Sequence, residues 1–183
     1  ITTRLVGSEM CIRDRKEVIY QATAYLGIGR TYDFLAAANQ IMEQHGIELP
    51  LAPQATATEK TRFDDGLMKQ VELFGEDMVK RQTDGPVLRR NINRWLADNC
   101  FGDYYTRNGL NDQEREMITF CFILAQGGCE NQLRGHTVGN FGVGNDKEKL
   151  YSIVEQCMPY IGYPRSLNAM NIIDEVSRAM ENQ

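Results

Sequence analysis

From residue 62 onward, apolar side chains recur at intervals of three and four residues, the spacing that places them on one face of an α-helix. No strand pattern interrupts these segments. Asn111 and Glu114 have the spacing of a capping box, an apolar run follows them, and Gly127 with Gly128 would end that helix. The sequence therefore predicts an all-α helical bundle, with further helices over residues 62–81, 87–99, 129–141, 146–160 and 164–180.

The composition is that of a soluble globular protein. The 183 residues can bury a helical core without disulfides or metal, and 42% of them are hydrophobic. No apolar stretch approaches the length of a membrane span. The net charge of −5 argues against a nucleic-acid partner, and we expect neither a nucleic-acid nor a membrane interaction.

The cysteines indicate a reducing compartment. Their number is odd, and they lack CxxC or zinc-type spacing: Cys11, Cys100, Cys121, Cys129 and Cys157. This pattern argues against a disulfide framework and against a structural metal site. We therefore predict a cytoplasmic protein.

Residues 1–15 differ from the rest of the chain. They have no apolar core of a signal peptide and no clear helical period, and SEMCIRDR resembles translated adapter sequence. We expect this segment to be non-native or, as the alternative, a disordered tail.

The sequence contains an internal repeat at a distance of 135 positions. Residues 18–31 resemble residues 153–166, with four pairs of identical residues: Gln21 and Gln156, Tyr25 and Tyr160, Gly27 and Gly162, Arg30 and Arg165. We interpret residues 16–45 as the second half of a first repeat, 46–60 as a linker rich in Pro, Thr and Ala, and 61–183 as a complete domain. A chance match between two amphipathic helix pairs is the alternative.

Three sequence blocks, at residues 101–110, 114–144 and 160–176, resemble the carboxymuconolactone decarboxylase family in content and order. The resemblance spans about residues 60–176. It implies an all-helical fold of the alkylhydroperoxidase-like type, assembly into hexamers, and a role in aromatic compound catabolism. Members often contain two fused copies, which would explain the internal repeat.

By position, the resemblance implies catalytic roles for Glu116, Cys129 and His136. On a helix, Gln132 would lie one turn before His136, whereas Cys129 would lie two turns before it. Substrate-binding candidates are therefore Gln132 and, for carboxylates, three arginines: Arg107, Arg134 and Arg165. Each of these residues also has a structural alternative, such as a first-turn acid for Glu116 or a small packing thiol for Cys129.

One branch of the family contains peroxidases that use a CxxC pair, and the second cysteine of that pair is Gln132 here. A thiol peroxidase needs a resolving thiol, and the spacing of Cys121 does not ensure that it reaches Cys129. We therefore favour a lyase over a peroxidase with peroxiredoxin activity at Cys129. A non-catalytic oligomerisation module is a third alternative.

The family's decarboxylation needs no metal and no cofactor, because the lactone substrate accepts the electrons that CO₂ leaves behind. The protein has to bind the carboxylates, stabilise the developing oxyanion and deliver a proton to carbon. We assign proton donation to His136, because an imidazole can carry and release a proton, and orientation of that ring to Glu116. The expected partners are a small-molecule substrate and further copies of the chain.

Overall fold

A computed structural model describes residues 12–182, and its regular structure there is entirely helical, which confirms the all-α prediction. The α-helices are α1 (Ile12–Leu26), α2 (Ile28–Gln44), α3 (Arg62–Phe74), α4 (Asp77–Thr83), α5 (Val87–Trp95), α6 (Asp112–Gln126), α7 (Glu130–Gly142), α8 (Lys147–Ile161) and α9 (Tyr163–Glu181). A π-helix, Leu96–Tyr105, continues α5. Within residues 12–182, no helix is both long and apolar enough to cross a membrane.

Most of the segment predicted to be non-native, residues 1–11, lies outside the described residues, and residues 12–15 begin α1. The chain divides into two compact units, and each of them is discontinuous in sequence. Among the described residues, the first comprises 12–69 with 87–110, and the second comprises 70–86 with 111–182. The predicted domain at residues 61–183 therefore contributes to both units, and the predicted linker at 46–60 contains no helix.

In the first unit, α1 packs against α2 and against the π-helix. The π-helix contributes the buried side chains of Ala97, Phe101 and Tyr105. It also lies unusually close to the start of α3, since a Cβ atom built on Gly66 would be 1.9 Å from the Ala97 carbonyl oxygen. The helix predicted at 87–99 changes from α-helical to π-helical winding after Trp95 and extends to Tyr105. The α-helical periodicity of the sequence cannot reveal this difference.

A buried ion pair lies within the same unit. The Arg107 guanidinium donates from Nε to Glu17 Oε2 at 2.7 Å and from Nη2 to Glu17 Oε1 at 2.9 Å. Glu17 is 2% exposed, and Gln54 Nε2 donates to the same carboxylate. The Arg107 guanidinium also lies over the Tyr20 ring, 5.0 Å from its centroid. These contacts fasten α1 to the segment that follows the π-helix.

The repeated sequence has the same local geometry in both places. Gly27 joins α1 to α2 with φ 81° and ψ 150°, and Gly162 joins α8 to α9 with φ 78° and ψ 167°. Thr31 Oγ1 donates to the Gly27 carbonyl, and the matching Ser166 Oγ donates to the Gly162 carbonyl. The two helix pairs are therefore joined by turns of the same kind, each at a residue that must adopt positive φ.

The second unit is a bundle in which α9 packs against α6, α7 and α8, and α6 also packs against α7 and α8. Its core consists of fully or almost fully buried apolar side chains: Phe120, Leu124, Leu150, Val154, Ala169 and Ile173. The capping box of Asn111 and Glu114 is present at the start of α6, as predicted. The predicted helix at 62–81 is interrupted, because Gly75 adopts φ 87° and separates α3 from α4.

Candidate active site

Glu116 and His136 meet inside the second unit. Glu116 lies on α6 and His136 lies on α7, and these two helices pack against each other. His136 Nδ1 is 2.8 Å from Glu116 Oε2. The Glu116 side chain is fully buried, whereas that of His136 is 13% exposed. A carboxylate therefore holds one imidazole nitrogen, and the ring keeps access to solvent.

An aromatic ring and a glycine enclose this pair. Phe74, the last residue of α3, meets the His136 ring edge to face, with centroids 5.4 Å apart and planes at 89°. A Cβ atom built on Gly139 would lie 2.5 Å from Glu116 Oε2 and 2.9 Å from Phe74 Cε1. Only a residue without a side chain fits beside the carboxylate, so Gly139 gives Glu116 and Phe74 their positions.

A buried amide holds the two backbones that carry the pair. Asn140 Nδ2 donates to the Glu116 carbonyl at 3.0 Å and to the His136 carbonyl at 2.7 Å. Its Oδ1 accepts from Asn145 Nδ2 at 2.8 Å, and Asn145 Oδ1 accepts from Lys149 Nζ. Asn140 and Asn145 are both fully buried. The network fixes α7 against α6 at the level of the site.

Cys129 lies elsewhere in the unit. It is the N-terminal cap residue of α7, and its sulfur accepts a hydrogen bond from Gln126 Nε2 at 3.2 Å. It lines a cavity of about 170 Å³ together with Arg165, which donates to the Ala125 carbonyl. Neither Glu116 nor His136 lines this cavity, and its lining contains no second cysteine.

The remaining predicted residues lie apart from the pair or have other partners. Gln132 is exposed on α7, one turn before His136. Arg134 makes a two-nitrogen contact with Glu175, at 3.1 and 2.8 Å. Arg107 belongs to the first unit, where it binds Glu17. The structure therefore pairs Glu116 with His136 and places Cys129 and Arg165 together at a separate cavity, whereas the other three predicted residues join neither group.

The sequence profile of the carboxymuconolactone decarboxylase family matches residues 91–175. This stretch of the chain is similar to that family. A 4-carboxymuconolactone decarboxylase from Acinetobacter baylyi is 29% identical over 119 residues, which are 64% of this chain and 88% of that protein. Glu116 and His136 both lie inside the stretch that the family profile matches.

Sequence reasoning missed three residues of the candidate site: Phe74, Gly139 and Asn140. Gly139 and Asn140 follow His136 by three and four residues. Helical spacing alone therefore places them on the same helix face as His136 and could have identified them. Phe74 lies outside the stretch that the family profile matches, and only the fold brings it to the imidazole.

Replacing Gly139 with alanine is expected to disturb the candidate site. The new methyl group would push the Glu116 carboxylate or the Phe74 ring aside, and we expect a destabilisation of about 1–3 kcal/mol, as for other overpacked positions. Thermal unfolding of the purified variant measures this. Gly135→Ala on the same helix is the matched control, because a Cβ atom there would meet nothing within 4 Å. Equal effects of the two substitutions would contradict the assignment.

Proposed function

We propose that this chain is a cofactor-independent decarboxylase, a carboxy-lyase acting on a small carboxylated lactone such as 4-carboxymuconolactone. The observation that carries the proposal is the Glu116–His136 pair, buried between α6 and α7 within the family-matching stretch. The name of the A. baylyi relative supports the choice of substrate class.

In the proposed reaction the bond between the ring carbon and the departing carboxylate breaks, and CO₂ leaves without the bonding electrons. These electrons delocalise through the ring double bond onto the lactone carbonyl oxygen. Protonation at ring carbon then restores a neutral lactone. Because the substrate itself accepts the electrons, the protein contributes binding, electrostatic stabilisation and a proton.

His136 is the proposed proton donor. Its Nδ1 faces Glu116, so we assign proton transfer to Nε2. The carboxylate would hold the ring in one orientation and balance its positive charge while it is protonated, as the acidic residue does in catalytic triads. Phe74 restricts rotation of the ring from a second side.

A carboxylated substrate also needs a cation, and Arg165 is the arginine we propose to test first. Arg134 already contacts Glu175 with two nitrogens, so a substrate carboxylate would have to displace that residue. Arg165 lines the cavity at the start of α7, which His136 does not line, and its guanidinium donates there to the neutral Ala125 carbonyl. A guanidinium can bind a carboxylate through two parallel hydrogen bonds.

The direct test is turnover. Purified protein is incubated with 4-carboxymuconolactone, and both the lactone absorbance and the CO₂ released are followed over time. We expect one CO₂ for each lactone consumed. If no carboxylated lactone turns over, the non-catalytic alternative replaces this proposal.

We also propose that the chain self-associates. On α5, apolar side chains spaced by four and three residues form one exposed face: Leu88 is 97% exposed, Ile92 63% and Trp95 59%. Adjacent exposed apolar side chains of this kind commonly mark protein contacts. Sedimentation equilibrium measures the assembly, and the mass of a single chain would contradict the proposal.

A further inference from the structure

Two cysteines meet on the facing sides of α6 and α8. Cys121 precedes the buried Leu124 by three residues, and Cys157 follows the buried Val154 by three residues. Residues three apart share a helix face, so each cysteine lies on a face that carries a buried side chain, and α6 packs against α8. Their side chains are hydrogen-bonded to each other, and both are only partly buried.

The contact makes the two thiols chemically unequal. The Cys121 thiol donates to the Cys157 sulfur, and this hydrogen bond lowers the pKa of Cys157 to about 7. The same contact, together with burial, raises the pKa of Cys121. The contact therefore favours the thiolate at Cys157, with the Cys121 thiol as its hydrogen-bond donor. Thiolates are the nucleophilic form of cysteine.

We propose that Cys157 and Cys121 are a peroxide-oxidisable dithiol site, with Cys157 as the attacking thiol and Cys121 as the resolving thiol. The oxidant class is a hydroperoxide, for which hydrogen peroxide is the simplest member. The proposal concerns a different part of the second unit from Glu116 and His136, and it does not depend on the decarboxylase function.

The chemistry balances in two steps. The Cys157 thiolate attacks one peroxide oxygen, the O–O bond breaks, and the S–O bond of a sulfenic acid forms while the departing oxygen takes a proton and leaves as water. The Cys121 sulfur then attacks the Cys157 sulfur. The S–O bond breaks, an S–S bond forms, and the hydroxyl leaves with the thiol proton as a second water. The two thiols lose two electrons, and the peroxide gains them.

Cys129 lacks these features. Its sulfur accepts from the Gln126 amide, and the cavity that it lines contains no second cysteine. The thiol chemistry that the sequence suggested for Cys129 is thus better supported at Cys157. A separation of 36 residues between Cys121 and Cys157 conceals their contact from motif searches.

The test is mass spectrometry of the purified chain after treatment with one equivalent of hydrogen peroxide, alkylation of the remaining thiols and digestion without reductant. We expect a linked pair of peptides containing Cys121 and Cys157, which separates again after treatment with a dithiol reductant. A linkage through Cys129, or peroxide-treated protein in which Cys121 and Cys157 are both still alkylated, would overturn the proposal.

Two variants and a control assign the roles. In Cys121→Ala the sulfenic acid has no resolving thiol, so dimedone is expected to label Cys157. In Cys157→Ala, dimedone is expected to leave Cys121 unlabelled, and Cys129→Ala should form the Cys121–Cys157 linkage as the parent does. Labelling of Cys121 in place of Cys157 would reverse the assignment. If either variant fails to fold, the linkage measured in the unaltered chain still decides the proposal.

Discussion

Replacing His136 with glutamine is expected to lower kcat for lactone decarboxylation by about 10²–10⁴-fold, the usual contribution of a positioned acid or base. Glutamine can still hydrogen-bond to the buried Glu116 carboxylate, so the packing around Phe74 and Gly139 should survive. It cannot deliver a proton to carbon. The loss should therefore fall mainly on kcat, with a smaller change in KM.

Stopped-flow or steady-state absorbance of the lactone measures this effect. His45→Gln is the matched control, because His45 is exposed at the end of α2 and belongs to the first unit. We expect the control to keep the parental rate. An undiminished rate in His136→Gln would remove the imidazole from the mechanism.

Replacing Glu17 with glutamine is expected to lower the free energy of unfolding by about 2–4 kcal/mol. Removing one partner of a buried ion pair leaves an uncompensated charge, which usually costs about 3–5 kcal/mol. We expect the lower range because the Arg107 side chain keeps 18% exposure and can recruit water. Urea unfolding followed by far-ultraviolet circular dichroism measures the change.

Glu175→Gln is the control for this prediction. The Glu175–Arg134 pair has the same two-nitrogen geometry, but its side chains are 57% and 39% exposed. Solvent screens exposed ion pairs, so we expect no clear change in the unfolding midpoint. A similar loss in both variants would show that the burial of Glu17 does not matter. If neither variant loses stability, the ion pair between Glu17 and Arg107 does not contribute measurably to the stability of the first unit.

Local chemistry made several features of the second unit predictable. The side chain of Asn111 caps the backbone of Glu114 and the reverse contact also forms, as the spacing indicated. Gly127 and Gly128 end α6 with φ 69° and 70°, values that favour glycine. Such signals depend on a few consecutive residues, and the fold seldom overrides them. The approach of Glu116 to His136 followed from the family resemblance.

Features that depend on distant residues were not predictable from one sequence. The π-helix passes the start of α3 with the backbones of Gly66 and Ala97 almost touching, and no local pattern announces that approach. Cys121 and Cys157 meet because α6 packs against α8. The partner of Arg107 was unpredictable for the same reason, since Glu17 lies 90 residues earlier.

The two hydrogen bonds that Asn140 donates affect how the site would use the binding energy of a ligand. Because one amide joins the Glu116 and His136 carbonyls, the acid and the imidazole are already assembled before any ligand arrives. Arranging these two groups then needs no contribution from substrate affinity. In the proposed decarboxylation, affinity for the remote groups of the substrate could instead be used to orient the scissile bond for the departure of CO₂.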